Sequence, residues 1–195
     1  MLPLTSDFTY DLNALSHSSA INSIQGIKRG VERECLRINP TGSLAQTPHP
    51  VSLGAALTHD SITTDYSESL LEFITPPETD ANKTLAQLAD VHKFTLDNLG
   101  EERLWPLSMP CFIKSEAEIP IAYFGESNVG KMKKAYRVGL RNRYGSMMQV
   151  IAGVHFNFSV PDSLWQYLAE KQNVEPTQDW ICLLYTSPSP RDQCL

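Results

Sequence analysis

The chain has 195 residues, of which 42% are hydrophobic and 9% aromatic. That is enough apolar side chain for a folded domain with a real core, and it excludes the disordered and fibrous classes. The net charge of −6 speaks against a nucleic-acid or anionic-membrane surface, which selects for basic excess. No apolar run has the length of a membrane span, and Met1 to Asp7 lacks the basic start and apolar core of a signal peptide. The expectation is a cytoplasmic protein with neither nucleic acid nor membrane as partner.

Leu12, Leu15 and Ile21 suggest a short first helix within residues 1–25. A strand over about 27–38 follows, ending at the turn Asn39-Pro40-Thr41-Gly42. Residues 62–66 and 70–75 are rich in β-formers and stop at Pro76-Pro77, which predicts two more strands. Leu85, Leu88, Ala89, His92, Leu96 and Leu99 recur at three and four, predicting an amphipathic helix over 81–99 closed by Gly100. Residues 104–110 are proline-punctuated and extended. Met132, Ala135, Tyr136 and Leu140 have helical spacing within a basic stretch over 131–144.

From Met148 to Val160 the residues alternate. Val150, Ala152, Val154, Phe156 and Phe158 share one face, predicted to meet a core; Gln149, Gly153, His155, Asn157 and Ser159 share the polar one. A last helix is expected over 163–171. Strands interleaved with helices, without βαβ spacing, give an α+β fold with an antiparallel sheet.

The chemistry sits on the strands. Glu32 and Glu34 are two residues apart on the first, so both side chains leave the same face. Two like charges side by side need cations or hydrogen-bond donors to hold them. Asp65 and Glu72 lie on the next two strands, and Gln149, His155 and Asn157 line the polar face of the last. If these faces converge, the oxygen-rich donor set suits Mg²⁺ or Mn²⁺ rather than zinc or copper. Taken singly each residue has a plainer role: His155 as a hydrogen-bonded structural histidine, Glu68 as a solvated turn residue.

Gly125-Glu126-Ser127-Asn128-Val129-Gly130-Lys131-Met132 has the glycine and lysine spacing of a phosphate-binding P-loop. Its last position needs Ser or Thr to ligate Mg²⁺, and Met132 fails that requirement. The basic residues from Lys131 to Arg143 face either an anionic substrate or simply solvent.

Residues 182–192 match the conceptual translation of a sequencing-library adapter, so 182–195 are expected to be a non-native tail, with the natural sequence stopping near Ile181. That leaves Cys35 and Cys111, with no zinc-ligand spacing, as small buried apolar residues of a reducing compartment.

Six segments together carry a resemblance: Gly30-Val31-Glu32-Arg33-Glu34-Cys35-Leu36-Arg37; Leu57-Thr58-His59 with residues 62–68; Leu70-Leu71-Glu72-Phe73-Ile74-Thr75-Pro76; Trp105-Pro106-Leu107-Ser108-Met109-Pro110-Cys111; Asn142-Arg143-Tyr144-Gly145; and Gly153-Val154-His155-Phe156-Asn157-Phe158-Ser159. In order, over residues 20–165, they resemble the bacterial glutamate–cysteine ligase family of the proteobacterial type. Cys35 stands where family members often have threonine.

The resemblance implies a curved, glutamine synthetase-like antiparallel sheet. It also implies ATP-dependent joining of the L-glutamate γ-carboxyl to the amine of L-cysteine, the first step of glutathione synthesis. Glu32, Glu34, Asp65, Glu72 and His155 then match divalent-metal and nucleotide positions, with Mg²⁺ or Mn²⁺ as cofactor and ATP as co-substrate. Tyr66, Tyr136, Leu140 and Gln149 match the cysteine pocket. Residues 1–181 would be the N-terminal part of a longer catalytic domain, inactive alone and prone to aggregate at its sheet edges. A ligase with another amine acceptor and a non-catalytic binding fragment are the rival readings. Oligomeric state is not legible.

Overall fold

The computed structural model describes residues 18–185. They fall into two compact units, residues 29–157 and a second unit built from the chain on either side. Within the second unit, helix α1 (Ser18–Ile24) packs on α4 (Asp162–Gln172), and the Ser163 hydroxyl donates to the Ser23 carbonyl at 2.7 Å. A further helix, α5 (Gln178–Tyr185), spans the expected junction at 181/182. Sequence spacing did not anticipate it. Leu12 and Leu15, assigned to the first helix, lie outside the described residues.

The larger unit is built around strand β1 (Lys28–Ile38). β2 (Ile62–Thr64) and β3 (Leu70–Ile74) form a hairpin, and β3 pairs antiparallel with β1 in a register that sets Glu34 opposite Glu72 and Cys35 opposite Leu71. The two-residue β4 (Arg103–Leu104) pairs antiparallel with Arg37 and Ile38, and β5 (Val154–Ser159) also pairs with β1. The Asn39 turn forms as expected: its side-chain oxygen accepts from the Thr41 and Ser43 backbone N–H groups, and Gly42 takes φ 82°.

Period-two alternation divides the sheet chemically. Cys35, Leu71, Phe73 and Ile62 face a core that includes Leu53 and Leu99 and takes Leu88 and Val91 from helix α2 (Ala81–Asn98). Leu36 and Leu70 face the other way, into a core with Leu44, Tyr66, Cys111, Ile119, Val150 and Ala152. Glu32, Glu34 and Glu72 occupy the remainder of that second face. Burying both faces this way positions the carboxylates beside apolar layers.

Three expectations are corrected. Helix α2 is capped by Asp80, whose carboxylate accepts from Asn82 N, but its buried stripe runs through Thr84, Leu88, Val91 and Thr95 to Leu99 just beyond its end. Leu85 and Leu96 are left exposed, because the face that meets the Leu53, Leu71 and Phe73 core is the one carrying Leu88 and Val91, with His92 at its edge against Phe73, ring centroids 4.5 Å apart.

The second correction concerns the 148–160 alternation. Met147–Val150 is a 3-10 turn, with Gln149 half-buried on it, and only 154–159 is strand. Val150 and Ala152 do enter the core, whereas Val154, Phe156 and Phe158 are exposed. The chain turns between the two sets so that Ala152 N can bond Ser108 O and Gly153 O can accept from Glu34 N. Glu68 is the third. It is buried, with its carboxylate accepting from the His49 and Tyr123 backbone N–H groups at 2.8 and 2.7 Å.

Candidate functional site

Glu32 and Glu34 project from β1 side by side, with Glu72 presented by β3 directly across from Glu34. Cross-strand partners of like charge repel, so the arrangement needs donors around it. β5 brings two of them. Asn157 Nδ2 donates to Glu32 Oε1 at 2.7 Å, and His155 Nδ1 lies 3.2 Å from Glu32 Oε2. The Gly153 N–H donates to Glu34 Oε2 at 2.7 Å, and His155 Nε2 is 3.9 Å from Glu34 Oε1. Gly153 leaves little room for a side chain: a Cβ there would sit 3.1 Å from His155 Nε2 and 3.4 Å from Glu34 Oε2, so those side chains would have to shift to admit it.

The electrostatics follow from this crowding. Burial and the Asp65, Glu32 and Glu34 charges push the Glu72 carboxyl up to about 7. Glu34 is also raised, chiefly by burial, against the opposing effect of the Gly153 N–H. His155 is raised because its ring bonds Glu32 and sits among Glu34 and Glu72. One carboxylate oxygen each from Glu32 and Glu72 and one ring nitrogen of His155 lie within 4.8 Å of one another. These three donors are placed to hold a cation.

Asp65 stands beside this trio rather than in it. Its charge acts on Glu34 and Glu72, while its Oδ1 is 3.9 Å from the Arg137 guanidinium. Arg137, on helix α3 (Asn128–Tyr144), donates Nε to the Asp65 carbonyl at 2.6 Å and lies over the Phe124 ring at 4.6 Å.

The four residues expected in a substrate pocket divide. Tyr66 is 1% exposed and shares a 2.8 Å hydrogen bond with the Ser146 hydroxyl. Leu140 packs half-buried against the same core cluster. Tyr136, one helical turn before Leu140, is 65% exposed. The structure thus ties Tyr66 and Leu140 together and leaves Tyr136 and Gln149 at more open positions.

Two contributors were not legible as site residues. The Gly153 N–H is a backbone donor and leaves no side-chain signature. Arg137 was one of several basic residues on its helix, and its burial and its hydrogen bond to the Asp65 carbonyl separate it. The P-loop spacing has a packing origin instead. Ser127 caps α3 by accepting from Gly130 N, and a Cβ on Gly130 would fall 2.5 Å from Phe124 O.

Comparison with known proteins places this geometry in context. The family profile described as glutamate-cysteine ligase matches residues 12–187. The chain is 59% identical over 169 residues to a glutamate–cysteine ligase of Pseudoalteromonas translucida, covering 87% of this chain and 32% of that protein. It is 60% identical over 147 residues to the ligase of Sodalis glossinidius, covering 75% and 28%. Among solved structures, a glutamate–cysteine ligase from Francisella tularensis in complex with AMP superposes with a TM-score of 0.75 at 42% identity, over 81% of this chain and 32% of that one. A bifunctional glutathione synthetase from Pasteurella multocida gives 0.71 at 32% identity, over 85% and 21%. The chain spans about a third of the length of the curated relatives it matches.

Proposed function

The chain belongs to the glutamate–cysteine ligase family, and we propose that it carries one wall of a Mg²⁺–ATP site, with Mn²⁺ as a substitute, serving γ-glutamylcysteine synthesis. The observation behind this reading is the convergence of Glu32, Glu72 and His155 within 4.8 Å. Two carboxylate oxygens and an imidazole nitrogen are a donor set that hard divalent cations accept. Proton release by Glu72 and His155, both held above their ordinary pKa values, would accompany loading.

Bound there, a divalent cation supplies positive charge against the nucleotide phosphates, which would otherwise repel a substrate carboxylate. The chain's own residues do the positioning. Asn157 and His155 fix the Glu32 carboxylate, the Gly153 N–H fixes Glu34, and Arg137 anchors the backbone at Asp65. In the proposed reaction the γ-carboxylate of L-glutamate takes the terminal phosphoryl group of ATP, releasing ADP. The L-cysteine amine then attacks the acyl phosphate carbon, and phosphate leaves as the amide bond forms. Tyr136, Leu140, Gln149 and Tyr66 are assigned to the wall facing L-cysteine. Tyr66 acts from within the core, through its bond to Ser146.

Among the described residues no helix is long and apolar enough to cross a membrane, and the reading places the enzyme in the cytoplasm with only small molecules as partners. It takes residues 1–181 as ligase sequence and 182–195 as foreign, which a fresh read of the gene across codon 181 tests. The functional experiment uses the product of the complete gene with ATP, L-glutamate and a panel of amines. L-Cysteine-dependent phosphate release and γ-glutamylcysteine formation are expected. Preference for another amine, or no ATP-dependent ligation, would overturn the assignment.

A further inference from the structure

One buried hydrogen bond ties the segment carrying Asp65 to the turn carrying Gln149. Tyr66 follows Asp65 directly, and its hydroxyl shares a 2.8 Å hydrogen bond with the hydroxyl of Ser146, 80 residues later in the chain. Both residues are 1% exposed.

The backbone around Tyr66 is held on both sides. Arg137 Nε donates to the Asp65 carbonyl at 2.6 Å, and Ala122 N donates to the Tyr66 carbonyl at 3.0 Å. The ring lies in the cluster of Leu36, Leu70, Val150 and Ala152, against which Leu140 packs. In such apolar surroundings a phenol hydroxyl has no water to turn to, so losing its partner is costly.

Ser146 directs its hydroxyl away from its own turn. It stands at the N-cap of the 3-10 turn Met147–Val150, where a serine ordinarily bonds back to the backbone that follows it. No such cap forms, and the hydroxyl goes to Tyr66 instead. Within the turn, Gln149 N bonds the Ser146 carbonyl at 3.1 Å and Val150 is fully buried. On the outer side the Glu116 carboxylate reaches Met147 N at 3.4 Å, a long bond at an exposed position. The short, buried side-chain hold on the turn is the one between Ser146 and Tyr66.

We propose that Ser146 is a positioning residue for the amine substrate: through Tyr66 it fixes the Gln149 turn relative to the cation-binding carboxylates, and so governs amine binding more than phosphoryl transfer. This rests on the assignment of Tyr66, Leu140 and Gln149 to the wall facing L-cysteine. Removing the bond loosens that wall. Glu32, Glu72 and His155 stay in place, because Asn157, the Glu32–His155 contact and the β1–β3 pairing hold them.

Ser146→Ala and Tyr66→Phe remove the bond from either side. They and the double variant are compared with wild type in the product of the complete gene, by steady-state kinetics with L-cysteine and ATP varied in turn. Each single variant is expected to raise KM for L-cysteine by roughly fivefold or more, the scale of one buried hydrogen bond. The fall in kcat is expected to be smaller than that rise, and KM for ATP to move by less than about twofold. The double variant is expected to match the weaker single, because both substitutions remove one interaction. Tyr66→Phe keeps the ring packing, so it carries the test if Ser146→Ala folds poorly. A wild type that ligates L-cysteine, with KM for L-cysteine unchanged in Tyr66→Phe or rising no more than KM for ATP, would overturn this proposal alone. A wild type that ligates no amine, or prefers another, overturns the assignment of the wall and this proposal with it.

Discussion

Replacing Glu72 with glutamine keeps the shape of the side chain and removes the charge that the site resists most. The Glu72 carboxyl is pushed from 4.5 up to about 7 by burial and by the Asp65, Glu32 and Glu34 charges. A raised carboxyl means that the folded state binds its proton more tightly than the unfolded chain does. Between about pH 4.5 and pH 7 the folded state therefore carries more protons, and stability falls as pH rises through that window. At about 1.36 kcal/mol per pH unit, the Glu72 shift alone sets an upper bound of about 2 to 3 kcal/mol on its contribution lost between pH 5 and pH 8 in the metal-free chain, reduced by solvent screening of this half-buried group. Glu34 and His155, also raised, push in the same direction. Urea unfolding of the wild-type chain and Glu72→Gln, both in EDTA, measures this. The wild type is expected to lose that stability, the variant to lose less than half as much, and the variant to be the more stable at pH 8. Parallel losses in the two proteins would refute the electrostatic reasoning.

Asn157→Ala removes the 2.7 Å hydrogen bond that orients Glu32 and is expected to lower Mn²⁺ affinity about tenfold, by analogy with other outer-shell ligands, as read by calorimetry. Gly130→Ala would force a Cβ to 2.5 Å from the Phe124 carbonyl, so a loss of about 2 kcal/mol is expected in urea unfolding. Normal stability with lost ATP binding would instead restore the P-loop reading. The 195-residue chain alone is expected to form no γ-glutamylcysteine from ATP, L-glutamate and L-cysteine, and sustained turnover by the purified chain would contradict that expectation.

Where period and punctuation were unambiguous, the fold was legible. The Glu32-Arg33-Glu34 alternation placed both carboxylates on one face, the Asn39 turn closed β1, and the paired β-rich runs before Pro76 became the β2–β3 hairpin. Patterns misled where tertiary contacts choose between neighbouring solutions. Two stripes on α2 differ by a small rotation, and the one that packs on the core is the one with buried threonines, carrying Leu88 and Val91. The alternation from Met148 onward continues through a turn that only the Ser108 and Glu34 backbone bonds reveal. Glu68 looked like a surface residue because its partners are backbone N–H groups distant in sequence. In the site, the like-charged pair pointed to a cation, but which carboxylates converge depended on strand register. Glu72 and His155 join Glu32, while Asp65 turns toward Arg137.

The most direct measurement is the electron paramagnetic resonance of Mn²⁺ titrated into the chain at pH 7.5, comparing wild type with Glu32→Gln, Glu72→Gln and His155→Ala. Convergence of these three donors predicts one Mn²⁺ bound per wild-type chain, weakened at least tenfold by each substitution and displaced by Mg²⁺. Free Mn²⁺ signal throughout the wild-type titration, or binding indifferent to all three substitutions, would contradict the account.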